Sequence, residues 1–229
     1  MATVMIVGAT RGIGLELVRQ YAAQGDNVIA CARDTEAAAL LDSEAANHTN
    51  IRIEQLDVAQ PDSINAAAER VGSEAIDTVI VVAGVVGGMH QTIDDFDMDA
   101  WHEALNTNTI GPILVARAFK ANLVASGAGN LMILSSQLAA STWPFGGMYI
   151  YSTTKAAVGK AAKILSIDWK DEPIIVSVMH PGYVQTDMGG PNAEITPEES
   201  ASGIRNVIAG LTPEDSGNFY KWNGDIHPW

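Results

Sequence analysis

Short β-branched runs that recur between helix-length segments constrain this chain more than any other feature. Val4–Val7, Val28–Ala32, Ile51–Leu56, Thr78–Val82, Asn130–Leu134 and Ile174–Met179 are predicted strands. Runs such as V-I-V-V (residues 79–82) are apolar at consecutive positions, so both faces of the sheet need covering. After the first strand, Ile13, Leu17 and Tyr21 recur at helical spacing. Further helices are predicted over Ser63–Val71, opened by Pro61-Asp62, and over Trp101–Ala125, Tyr151–Trp169 and Pro197–Ala209. In the last of these, Glu198 and Glu199 suit the N-terminal dipole. Strands alternating with helices imply βαβ units. The expected fold is α/β, a doubly wound parallel sheet with helices on both faces, as one domain over residues 1–229.

Composition narrows the partners. A net charge of -14 argues against nucleic acid or an anionic membrane surface. A bound anion then needs a local basic site, which makes individual arginines informative. Cys31 is the only cysteine and sits in an apolar run, which excludes an intramolecular disulfide and predicts a buried thiol. The five histidines are scattered, and no metal site is expected. No run reaches 18 apolar residues, and M-A-T-V-M-I-V-G reads as a strand rather than a signal peptide. A cytoplasmic location is therefore expected.

Gly8, Gly12 and Gly14 lie in G-A-T-R-G-I-G, between the first strand and the first helix. Glycines there permit a phosphate to approach the backbone at a helix N-terminus. The second strand ends Cys31-Ala32-Arg33 with no acid at its tip to hold a ribose 2′-hydroxyl, and Asp34 falls one residue late. Arg33, with Arg11 in the glycine turn, suits a 2′-phosphate and favours NADP over NAD. Asp57 ends the third strand and Ala83-Gly84 the fourth. Strand C-termini line the ligand crevice of an open α/β sheet.

Tyr151 and Lys155 in Y-S-T-T-K share one helical face. A nearby ammonium is expected to lower the phenol pKa towards working pH. Pro112 lies four residues after Asn108 and cannot donate to its carbonyl, so the helix is expected to bend there and leave that carbonyl available. Ser135 and Ser136 end a strand, and alternation lets only one of them face a site.

These segments, together with L-D-V, N-T-I-G and H-P-G-Y-V-Q-T-D-M-G-G-P, occur in order over nearly the whole chain. They resemble the short-chain dehydrogenase/reductase family, in its C-factor-like and sniffer-like carbonyl reductase subgroup. The resemblance implies a single Rossmann domain and an NAD(P) cofactor. Tyr151 would be the general acid, Lys155 its helper and a holder of the nicotinamide ribose, and Ser136, rather than Ser135, the substrate anchor. Asn108 would hold a proton-relay water. The cofactor would meet Gly8, Thr10, Arg11, Gly12, Ile13, Gly14, Arg33, Asp57, Val58, Ala83, Gly84, Tyr151, Lys155, Pro181, Gly182, Val184 and Thr186. One departure is Val81-Val82, where the family often has two asparagines.

The resemblance therefore implies an NADPH-dependent reductase of a small carbonyl compound, working as a homodimer or homotetramer through the Asn108 and Tyr151 helices. A dinucleotide-sensing or C-factor-like signalling protein is the alternative. Val85, Met89, Trp143, Phe145, Tyr149 and Met188 read either as the border of an apolar substrate pocket or, several of them, as core or subunit contacts. The loop Gln185–Glu194 reads either as a lid or as an ordinary surface loop.

Overall fold

A computed structural model describes residues 1–35, 38–88 and 91–229. Seven parallel strands form one sheet in the order β3-β2-β1-β4-β5-β6-β7. They are β1 (Thr3–Val7), β2 (Asn27–Ala32), β3 (Ile51–Gln55), β4 (Thr78–Val81), β5 (Gly129–Leu134), β6 (Ile174–His180) and β7 (Phe219–Lys221). The helices are α1 (Gly12–Gln24), α2 (Ala39–Asn47), α3 (Pro61–Val71), α4 (Met98–Leu105), α5 (Gly111–Ala118), α6 (Lys120–Ala125), α7 (Tyr149–Asp168) and α8 (Pro197–Gly210). The strand order reverses between β1 and β4, as in a Rossmann-type doubly wound sheet, and that reversal opens a crevice at the strand C-termini.

The doubly apolar strands are covered as expected. Met5, Val7, Val79, Val81, Ile133 and Val178 turn to one face, where Val115, Phe119 and Val158 from α5, its C-terminal end and α7 meet them. Val4, Ile6, Ile80, Met132 and Met179 turn to the other, under Leu17 and Val18 of α1 and Ile204 and Ile208 of α8. Cys31 is fully buried, and burial pushes its thiol well above the ordinary range. At Val81 an apolar side chain fills core space, while the backbone N–H groups of Val82 and Ala83 both donate to the Val7 carbonyl at 2.9 Å.

One expected helix is divided. In place of a continuous Trp101–Ala125 segment, α4 begins at Met98, where the Asp97 carboxylate caps the amides of Asp99 and Ala100. A π turn then runs over Asn106–Ile110, closed by the Gly111 N–H on the Asn106 carbonyl. α5 follows with Pro112 in its first turn, where a missing N–H does least harm. The bend expected at Pro112 thus takes the form of a widened turn. A Cβ at Gly111 would lie 2.3 Å from the Val58 carbonyl, so this glycine lets the helix approach the end of the third βα unit. α2 and β7 were not anticipated. α2 buries only Leu41, and β7 has three residues, so neither carries a legible period.

Among the described residues, no helix is long and apolar enough to cross a membrane.

Candidate active site

The crevice between β1 and β4 continues into a cleft of about 1230 Å³. Its wall includes Gly8, Thr10, Arg11, Gly12, Ile13, Arg33, Asp57, Val58, Ala83, Gly84, Tyr151, Lys155, Pro181 and Thr186. Gly14, Asn108, Ser136, Gly182 and Val184 are not on that wall. Of the pocket residues, Val85 and Met188 line the cleft. Trp143 and Phe145 pack edge to face outside it, and Tyr149 tilts against Phe96. Met89 lies outside the described residues.

The glycine turn is shaped by close approach. Gly8 adopts φ +96, and a Cβ there would lie 2.7 Å from the Ala83 nitrogen. A Cβ at Gly14 would lie 1.9 Å from the Gly8 carbonyl oxygen. Only glycine lets α1 begin this close to β1 and β4. α1 starts with no capping side chain and no acid in its first turn, which leaves its N-terminal dipole suited to an anion. The turn therefore fits a pyrophosphate.

At the end of β2, Arg33 is exposed and has no ion pair among the described residues. Arg11 instead reaches across the cleft to Asp187 at 2.9 Å. Beside it, a Cβ at Gly12 would lie 3.0 Å from Thr186 Cγ2. The segment after β6 thus lies over the glycine turn. It is tied internally by Gln185 Nε2 to the Ala193 carbonyl and by Ile195 N to the Tyr183 carbonyl. The Thr186 hydroxyl is engaged within this segment, with Val184 and Gly189. Asp57 accepts from the Ala59 N–H at 2.9 Å, which caps its own loop and leaves its second carboxylate oxygen for a ligand.

At the other end of the cleft, α7 presents Tyr151 in its first turn and Lys155 one turn later. The Lys155 ammonium donates to the Leu134 carbonyl at 2.9 Å and is almost fully buried. Gly84 leaves room for it, since a Cβ there would lie 3.1 Å from Nζ. The two serines differ in their partners, although Ser135, and not Ser136, lines the cleft. Ser135 Oγ donates to the Lys155 carbonyl at 2.8 Å and is turned into α7. Ser136 Oγ accepts from the Leu138 N–H at 3.2 Å and lies near enough to the Tyr151 phenol to draw its pKa down.

The expected fall in the phenol pKa is not found. Burial raises Tyr151 above the ordinary tyrosine value, and the Ser136 hydrogen bond draws it back only in part. The ammonium sits 6.0 Å from the ring centroid, over the ring, and burial drives Lys155 itself down to about 8. Desolvation is the largest cause of both shifts.

The burial of Lys155 has a consequence for stability. Its pKa is about 8 when folded against 10.5 unfolded, so the unfolded chain binds more protons between those values and stability rises with pH there. Below about 8 the full cost of a buried charge is present. Lys155→Met is therefore expected to gain on wild type at neutral pH. Denaturant melts should show that advantage shrinking by roughly 3 kcal/mol as pH rises from about 7 to about 10.5. An advantage independent of pH would contradict this.

Asn108 is fully buried. Its side chain accepts from Val85 N and donates to Val85 O, both at 2.8 Å, and also donates to Thr154 Oγ1 at 3.0 Å. Thr154, which sequence reasoning passed over inside Y-S-T-T-K, thus joins the π turn to α7. Gln91 was also missed. It is buried and bonded to Tyr151 N, and no local pattern marks it. His180 packs against His227 and is pushed down to about 4, chiefly by burial, so it stays neutral and structural.

The sheet reversal beside a glycine turn, with a phenol, a hydroxyl and a buried lysine at the same crevice, defines a dinucleotide-type α/β protein. Residues 2–196 match the short chain dehydrogenase family, and the chain belongs to that family. It superposes on the carbonyl reductase Sniffer of D. melanogaster with a TM-score of 0.94 and 28% identity, each chain covered 100%. It superposes on an NADPH-bound carbonyl reductase from chicken fatty liver with a TM-score of 0.92 and 31% identity, covering 100% of this chain and 94% of that one. It is also 35% identical to the C-signal of Myxococcus xanthus over 169 residues, which span 72% of this chain and all of that protein.

Proposed function

We propose that this protein is an NADPH-dependent carbonyl reductase. The observation that carries the reading is Tyr151 on the wall of the cleft opened by the glycine turn, one helical turn from buried Lys155, with Ser136 near its phenol. The bound cofactor supplies the hydride. Ser136 holds the carbonyl oxygen of a ketone or aldehyde. Tyr151 donates its proton to that oxygen, and its raised pKa keeps it protonated for the task. Lys155 stands beside the phenol as the local proton source. The Asn108 carbonyl, to which Pro112 cannot donate, continues the route outward.

The glycine turn, with Gly8, Thr10, Gly12, Ile13 and Gly14, holds the pyrophosphate. Arg33 and Arg11 hold the 2′-phosphate, and Asp57 and Val58 the adenine end. Ala83 and Gly84 lie along the middle, with Pro181, Gly182, Val184 and Thr186 at the nicotinamide end. The exposed Ile110, Ile164 and Ile167 on the π turn and α7 support a homo-oligomer through these helices.

A screen of ketones, aldehydes and quinones with NADPH and NADH tests the reading, with turnover expected from NADPH. A second reading, a signalling protein that binds the dinucleotide, draws support from the likeness to C-signal. Tight NADPH binding with no turnover across the screen would favour it.

A further inference from the structure

The helix that carries Tyr151 starts without a cap of its own. Met148 precedes it in the left-handed region, at φ 53 and ψ 39, and its side chain makes no capping bond. The cap comes from another segment. Gln91, which follows β4, accepts from Tyr151 N at 3.0 Å through Oε1. Its backbone carbonyl also accepts from Tyr149 N, at 3.5 Å. The Nε2 group of the same side chain points the other way, donating to Val86 O at 2.8 Å and Gly88 O at 2.7 Å. At 3% exposure, Gln91 has little access to water as an alternative partner. The near end of this segment is held as firmly, because Asn108 grips both backbone groups of Val85.

We propose that Gln91 is a positioning residue for proton transfer. Through it the backbone at Val86 and Gly88 sets where the first turn of α7 lies, and so where the Tyr151 phenol stands. The chemistry calls for an amide. One acceptor serves Tyr151 N, and two donors serve two carbonyls. A glutamate keeps the acceptor and loses the donors, and a methionine loses both. The proposal rests on Tyr151 being the acid. Gln91 touches none of the residues assigned to the cofactor except Tyr151, so cofactor affinity should be spared.

Gln91→Glu and Gln91→Met are the test, with benzaldehyde and menadione as probe substrates and NADPH binding followed by fluorescence. Both variants are expected to lose about 10-fold or more in kcat, as small misplacements of a catalytic group do, with the NADPH Kd held within about 2-fold. Hydrogen exchange at the Tyr151 amide should speed up in Gln91→Met and stay slower in Gln91→Glu. Folded variants with wild-type kcat would overturn the proposal, while an inactive wild type would remove the reductase reading on which it stands. Should neither variant fold, the wild-type protein decides the matter. A slowly exchanging Tyr151 amide supports the anchor, and one exchanging at the free-peptide rate overturns it.

Discussion

Replacing Tyr151 with phenylalanine is expected to lower kcat for carbonyl reduction by about 100- to 10,000-fold, the range that a positioned acid contributes. NADPH affinity should hardly move, because the change removes one oxygen and leaves the ring in place. Ser136 alone would still hold the carbonyl oxygen but has no comparable acidity to offer. The pH profile carries the same signature. Burial keeps the Tyr151 phenol protonated through neutral pH, so reduction should not fall there. Lys155 loses its charge near pH 8, and the rate should decline above about that point as the local proton source fails. Stopped-flow turnover and a fluorescence titration of the variant check both parts. A Tyr151→Phe protein that binds NADPH and turns over at the wild-type rate would remove the assigned acid.

Arg33→Ala is expected to reduce the preference for NADPH over NADH by about 100-fold, the range of charge-assisted bonds to a phosphate. The loss should fall on NADPH alone. Arg33 and Arg11 differ in what they are doing before a ligand arrives. Arg33 is exposed with no ion pair among the described residues, so its guanidinium is available. Arg11 is paired with Asp187, and both side chains are about three-quarters exposed. An exposed pair of that kind is worth about 1 kcal/mol or less, so Arg11 can exchange partners at small cost and contribute a smaller share. Measuring kcat/KM for both cofactors in the single and double variants separates the two arginines. An unchanged ratio in Arg33→Ala would remove it as the selector.

Much of the fold was legible because its strands announce themselves. Val79 and Val81 point to one core and Ile80 to the other, and only a sheet covered on both sides has use for such a run. The glycine turn was legible for a similar reason, since few residues could occupy Gly8 or Gly14 without striking neighbouring backbone. The less regular parts were hidden by weak or misleading periods. α2 buries a single leucine, and the apolar spacing over Trp101–Ala125 runs on through a π turn and one break at Phe119. In the site, the spacing of Tyr151 and Lys155 gave their proximity but not their burial, and burial reversed the direction of the phenol pKa. Alternation let one of Ser135 and Ser136 face a site and the resemblance favoured Ser136, but the bond from Ser135 to the Lys155 carbonyl had no local trace. Gln91 acts across 60 residues of sequence on Tyr151, and a contact of that kind leaves no local trace.

The central claim is that hydride passes from the nicotinamide to a carbonyl carbon as Tyr151 protonates the oxygen. The most direct measurement uses NADPH carrying deuterium at the transferable position of the nicotinamide ring, with benzaldehyde as acceptor and the product alcohol read by mass spectrometry and NMR. One deuterium per product, on the carbinol carbon, is the expected result, with the label lost from the cofactor in equal amount. Product alcohol without the label would contradict the account, as would tight cofactor binding with no alcohol formed from benzaldehyde or from any ketone, aldehyde or quinone of the screen.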